Sequence, residues 1–145
     1  MASGDPITFD YTLRCSADDA FGAYTERISE WWHPGYTANP DTLQAVTIEP
    51  SVGGRVFATH SDMGEHEWGE VKAWEPGRRL TYSFTLAQDP QHPTEVDVAF
   101  VPGDHGCTVQ FAHGGWSEVN RSDRQKFADW PTMLDRFAAL AERRA

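Results

Sequence analysis

The chain has 145 residues, enough for one domain with its own core, and sets 12 Lys and Arg against 22 Asp and Glu for a net charge of -10. That balance excludes a surface of clustered positive charge, so neither nucleic acid nor an anionic membrane is expected as a partner. The opening MASGDPITFD lacks the basic and apolar regions of a secretory leader, and no apolar run approaches the ~20 residues needed to span a bilayer, so the expected address is the cytoplasm.

Residues 7–14, ITFDYTLR, put Ile7, Phe9, Tyr11 and Leu13 on one face, the alternation of a half-buried strand. Ser16 stands where a helix N-cap belongs, with Asp18 and Asp19 in the first turn of a short helix reaching about Thr25. A second helical turn runs into Trp31-Trp32 and stops at Pro34-Gly35. The stretch SEWWHPGY (29–36) packs three large rings and an imidazole into eight residues. One of its two Trp rings is expected to staple the short helices to the sheet. The other, with His33 and Tyr36, is expected to rim an opening.

From residue 44 to 113 the chain reads as about six strands, cut at EPSVGG, SDMGE, EPGR, AQDPQHP and VPGDHG. The inward parities are Leu80/Tyr82/Phe84, Val96/Val98/Phe100 and Cys107/Val109/Phe111/His113, with polar residues opposite. Such alternation marks antiparallel strands with one wet face. The cover for the other face is the segment from about Ser122 to Arg143, where Phe127, Trp130, Met133, Leu134, Phe137, Leu140 and Ala141 form an apolar stripe at helical spacing. Pro131 is tolerated if Asp129 caps a fresh helix, so a break is expected near Trp130. Arg136, Arg143 and Arg144 are expected toward the negative end of the helix dipole. The sum is an α+β fold: a curved seven-stranded antiparallel sheet wrapped on a long C-terminal helix, with two short helices after the first strand. Curvature leaves room for a pocket between helix and sheet.

Four local signatures in this order resemble the START/SRPBCC superfamily with its helix-grip fold, also seen in birch-pollen-allergen-like proteins. Within it they resemble the Aha-type family, homologues of the activator of the heat-shock chaperone ATPase. They are Ser16-Ala17-Asp18-Asp19-Ala20-Phe21 leading to Trp31-Trp32; Gly69-Glu70-Val71 followed by Trp74 through Leu80; Val109 through Gly115 with its His-x-Gly; and Asp129-Trp130-Pro131-Thr132-Met133-Leu134, where Asp129 replaces the usual Gly. The resemblance covers nearly the whole chain, so residues 1–145 are read as one START-like domain. It implies a cavity for an apolar ligand. The eukaryotic co-chaperone carries an additional N-terminal domain absent from this sequence, so chaperone activation does not transfer with the likeness.

The candidate chemistry is sparse. His60-Ser-Asp-Met-Gly-Glu-His66-Glu67 reads as a polar hairpin tip in preference to a metal site, because no third committed ligand is evident. No G-x-S-x-G elbow or phosphate loop occurs, and Cys107 and His113 lie roughly 20 Å apart along one strand. Cys15 and Cys107 are read as buried thiols. The helix-grip topology places their Cα atoms close together, within the ~7 Å bridging limit. His113 points inward. It reads first as a satisfied histidine tying the strand end to a backbone group, and alternatively as a polar handle for a ligand.

The function expected is non-catalytic binding of a small apolar or amphipathic ligand, with no cofactor and no metal. Trp32, His33, Tyr36, Phe57, Trp68, Phe84, Phe100, Phe111, His113, Trp130, Met133 and Phe137 are its candidate contacts. An enzyme of cyclase, hydrolase or isomerase type using the same cavity is one alternative. A chaperone-linked interaction module is the other. An open sheet edge leaves room for a homodimer.

Overall fold

Ten elements alternate along the chain in the computed structural model, which describes residues 7–33, 37, 39–85, 93–116 and 130–143. They are β1 (Ile7–Leu13), α1 (Ala17–Thr25), α2 (Ile28–Trp31), β2 (Leu43–Ile48), β3 (Arg55–His60), β4 (Gly64–Glu75), β5 (Arg79–Phe84), β6 (Thr94–Gly103), β7 (Gly106–Gly114) and α3 (Trp130–Glu142). The strands form one antiparallel sheet in the order β1-β7-β6-β5-β4-β3-β2. This is the helix-grip arrangement, with the three helices gathered against the concave face. None of the described helices is long and apolar enough to cross a membrane.

Pairing follows the expected parities. Tyr82 stands opposite Val96, Val98 opposite Phe111 and Phe100 opposite Val109, so the apolar rows of β5, β6 and β7 meet on one face. Leu13 lies opposite Cys107, which brings the Cys15 and Cys107 thiols into hydrogen-bond contact, both buried and unbridged. The outer face is polar. There Arg79 grips Asp97 through two bonds of 2.9 and 2.8 Å, and Thr81 donates to the same carboxylate.

The helices are anchored by polar contacts at their ends. Ser16 Oγ accepts from the Asp19 N–H at 3.0 Å and caps α1, as its position in the sequence predicts. The four-residue α2 could not stand alone and is clamped to β2 by Ser29. The Ser29 hydroxyl accepts from the Val46 N–H at 2.7 Å and donates to the Val46 carbonyl at 2.8 Å. Helix α3 begins at Trp130 with Pro131 in its first turn, where the missing N–H costs nothing. The expected helical stretch before Trp130, with Phe127, lies outside the described residues, as does Arg144. Arg136 sits mid-helix instead of at the dipole's negative end. Its Nε donates to the Trp31 carbonyl at 2.9 Å, placing a cation on the C-terminal end of α2.

Candidate functional site

Six of the candidate residues come together as one aromatic wall between the sheet and the start of α3. The Trp32 ring lies 5.0 Å from Trp68 and 5.8 Å from Trp130. Trp130 in turn lies 4.7 Å from Phe111 and 5.8 Å from Phe84, while Phe84 is 5.5 Å from Trp68 and 5.0 Å from His113. Tilted and edge-on rings at these separations are in contact, and each pair adds to the burial of apolar area. Phe137 and Phe100 belong to the other half of the core. Phe137 packs on Tyr24 at 5.3 Å and Trp31 at 5.6 Å, and Phe100 on Phe21 at 5.3 Å. Met133 is buried on the inner stripe of α3. His33 is half-buried, and Tyr36 lies outside the described residues.

The sequence places one ring of the Trp31-Trp32 pair in the core and the other at an opening; the structure buries both, at 0% and 1% exposure. Trp31 donates its Nε1–H to the Ala23 carbonyl at 3.0 Å, which ties α2 to α1. Trp32 follows the last turn of α2 in extended backbone, and this turns its ring down onto Trp68.

Phe57 is a correction. It shares its face with Arg55 and Thr59, opposite Val56, Ala58 and His60, and takes no part in the core cluster. The Arg55 guanidinium covers its ring at 4.4 Å from the outer side of the sheet and also binds Glu49 and Glu65. Val56 and Phe57 are both large and apolar, so alternation alone could not say which one faces inward.

His113 is fully buried, and its two ring nitrogens meet side chains instead of the expected backbone group. Trp130 Nε1 donates to Nδ1 at 3.1 Å, so the ring proton resides on Nε2 and is donated to Thr94 Oγ1 at 2.6 Å. Thr94 passes its own proton to the Phe84 carbonyl at 3.2 Å, and the His113 carbonyl accepts from Trp116 Nε1 at 2.8 Å. Burial holds the imidazole neutral and lowers its pKa to about 3.

Other polar groups on the inner side were not among the candidate contacts. Tyr24 and Tyr82 share one hydrogen bond of 2.8 Å between their hydroxyls at the centre of the core, and desolvation pushes both phenols up. The tip of the β3–β4 hairpin is polar and exposed as expected, yet His60 beside it is buried. Its period-two spacing from Val56 and Ala58 was the available signal.

Trp68 is the extra residue of a β-bulge. Val56 pairs with Gly69 and Phe57 with Glu67, leaving Trp68 unmatched; its ring packs on Trp32. Gly69 is required beside it, because a Cβ there would collide with the Ser83 carbonyl oxygen. No Asp, Glu, Lys or Arg is buried among the described residues, nor do three His, Cys, Asp or Glu side chains converge there as a metal site would need. On the outer face, Glu70, Lys72, Ser83, Glu95, Asp97 and Ala112 line an open depression of about 710 Å³.

Several solved structures share this architecture at identities that show the fold alone. Protein MLL2253 from Mesorhizobium loti superimposes with a TM-score of 0.73 at 22% identity, over 95% of this chain and 97% of that one. The Aha1 dimer from Colwellia psychrerythraea gives 0.69 at 15%, over 94% and 96% of the two chains. CalU16 from Micromonospora echinospora gives 0.63 at 20%, over 93% and 71%. No curated protein sequence matches this chain. Residues 14–142 match the family described as Activator of Hsp90 ATPase homolog 1-like protein, and with the helix-grip sheet, the capped α1 and the Trp130-Pro131 opening of α3 all in place, the chain belongs to that family.

Proposed function

We propose that the protein binds one small, largely apolar molecule between the concave face of the sheet and α3, and that it does so without transforming it. The observation that carries this reading is Trp68. Its ring is enclosed in the aromatic wall at 1% exposure, yet its Nε1–H has no acceptor among the described residues. An orphaned buried donor costs about 1–3 kcal/mol, which an oxygen on a bound molecule would offset. A wall of rings with a few placed polar groups is also the usual composition of a small-molecule site. Trp32 lies over Trp68 at a tilt of only 30°, and it is the ring a flat guest would displace. The family's fold commonly holds ligands in this place.

Binding is favoured over catalysis because His113 and the two core phenols, the proton-transfer groups nearest α3, are committed. Both His113 nitrogens are engaged by protein side chains, and the two core phenols are pushed upward by burial. We place the protein in the cytoplasm, where its two adjacent buried thiols would stay reduced. A homodimer through the outer edge of β1 or β2, the two end strands of the sheet, fits the strand order, and the Colwellia protein is described as a dimer. A chaperone partner rests on the family likeness alone.

Titration with N-phenyl-1-naphthylamine, an uncharged fluorescent probe, tests the reading. One saturable equivalent, excited by energy transfer from tryptophan and weakened by Trp68→Ala, is expected. Non-saturating uptake that is indifferent to Trp68 would remove the proposal.

A further inference from the structure

Three buried nitrogen atoms have no hydrogen-bond partner among the described residues: His60 Nε2, His66 Nδ1 and Trp68 Nε1. They are not scattered. His66 stands opposite Ala58 in the β3–β4 ladder, and His60 follows Ala58 by two residues on the same inner face. Trp68 follows His66 by two and so shares that face, where it packs on Trp32. The three groups therefore share the inner face of the hairpin, with the short side chain of Ala58 directly opposite His66. Native proteins leave few buried polar atoms unpaired, and three on one face call for a specific explanation.

The hydrogen bonds behind His60 fix what this face offers. Thr42 Oγ1 lies 3.0 Å from His60 Nδ1. The Thr42 hydroxyl also lies 3.4 Å from the Asn39 carbonyl. With the Thr42 proton on that carbonyl, His60 donates from Nδ1 and its Nε2 offers a lone pair. Trp68 Nε1–H can only donate. A face that offers both an acceptor and a donor fits a neutral hydroxyl-bearing molecule. A cation would meet the indole N–H, while the carboxylates of Glu65 and Glu67 lie on the opposite face of the hairpin beside Thr59 and Phe57. An anion would find no buried Lys or Arg among the described residues and a chain of net charge -10.

We infer that the inner face of the β3–β4 hairpin is the polar end of the binding site, and that His60, His66 and Trp68 select an uncharged aromatic or polycyclic molecule carrying a hydroxyl group. This rests on the proposed ligand site and adds the chemical class of the ligand.

The test compares 2-naphthol with 2-methylnaphthalene, which differ by hydroxyl against methyl, in the intact protein and in His60→Leu and Trp68→Phe. The second substitution keeps an aromatic ring at the site while removing the N–H together with the fused five-membered ring. His60→Leu is expected to weaken 2-naphthol about three- to tenfold, the worth of one hydrogen bond, and to leave 2-methylnaphthalene unchanged; Trp68→Phe is expected to weaken 2-naphthol by that factor more than it weakens 2-methylnaphthalene. His60→Leu is also expected to keep its melting temperature within a few degrees, because the imidazole loses only its bond to Thr42. Should it fail to fold, Trp68→Phe carries the comparison. Equal effects on both probes, or none, would overturn the hydroxyl selection and leave the ligand site standing. Failure of both probes to bind the intact protein would overturn both.

Discussion

Trp130 donates its indole N–H to His113 Nδ1 at 3.1 Å, and this bond joins the first residue of α3 to the end of β7. The chain of donors continues through His113 Nε2 to Thr94 on β6 and from Thr94 to the carbonyl of Phe84 on β5. One helix and three strands are thus pinned by a fully ordered buried network, a type of contact that specifies a unique core when every member is satisfied. His113→Leu is predicted to remove it, leaving the Trp130 N–H buried without its acceptor. The expected cost is about 2–4 kcal/mol in urea unfolding, with the affinity for N-phenyl-1-naphthylamine unchanged. Lost affinity at unchanged stability would instead make His113 a ligand contact.

The same residue sets an acid limit. Its folded pKa of about 3 lies below the ordinary value of 6.5, so the unfolded chain binds a proton that the folded chain refuses. Stability from this group is therefore complete above pH 6.5 and falls as the pH drops toward 3. The slope approaches about 1.4 kcal/mol per pH unit. The difference between wild type and His113→Leu, measured by chemical unfolding from pH 7 to 4.5, should shrink as the pH falls. A difference independent of pH would contradict the buried neutral imidazole.

Tyr24 and Tyr82 share a single bond of 2.8 Å with no other partner among the described residues. Replacing either with Phe leaves the other hydroxyl stranded, at about 1–2 kcal/mol. Replacing both removes the stranded group, and the double variant should be nearly as stable as the wild type. A double-mutant cycle of thermal unfolding checks this, and additive losses would refute it.

Burial pushes the Cys107 thiol up to about 11, with Cys15 beside it as a second influence. Thiolate is the reactive form, so both cysteines should resist an aromatic disulfide reagent in the native protein and react fully in denaturant. Rapid native labelling would show that this end of the sheet opens.

The inner rows of β5, β6 and β7 were legible because each strand alternates cleanly against a wet face, and the closeness of Cys15 and Cys107 followed from the order of the strands. The Ser16 cap and the place of Pro131 in the first described turn of α3 were legible from local chemistry. Other features required coordinates. Alternation fails at Val56-Phe57, where two adjacent apolar residues face opposite ways. The bulge that leaves Trp68 unmatched beside Gly69 has no mark in its own composition. His60 reads as part of a polar tip until its pairing opposite Gly64 is known. The partners of His113 lie 17 and 19 residues away on other elements, beyond any local pattern.

Trp32 offers a sharper view of the wall. If its ring holds the guest's place over Trp68, Trp32→Leu should cost about 2–4 kcal/mol of stability yet bind N-phenyl-1-naphthylamine several-fold more tightly. Weaker binding alongside lost stability would make Trp32 a wall residue and not a stand-in.

Native mass spectrometry of the freshly purified protein tests the ligand site most directly. The account predicts a population heavier than the polypeptide by one small molecule, released on denaturation and reduced in Trp68→Ala. A single species at the polypeptide mass, unshifted by an excess of 2-naphthol or N-phenyl-1-naphthylamine, would contradict it.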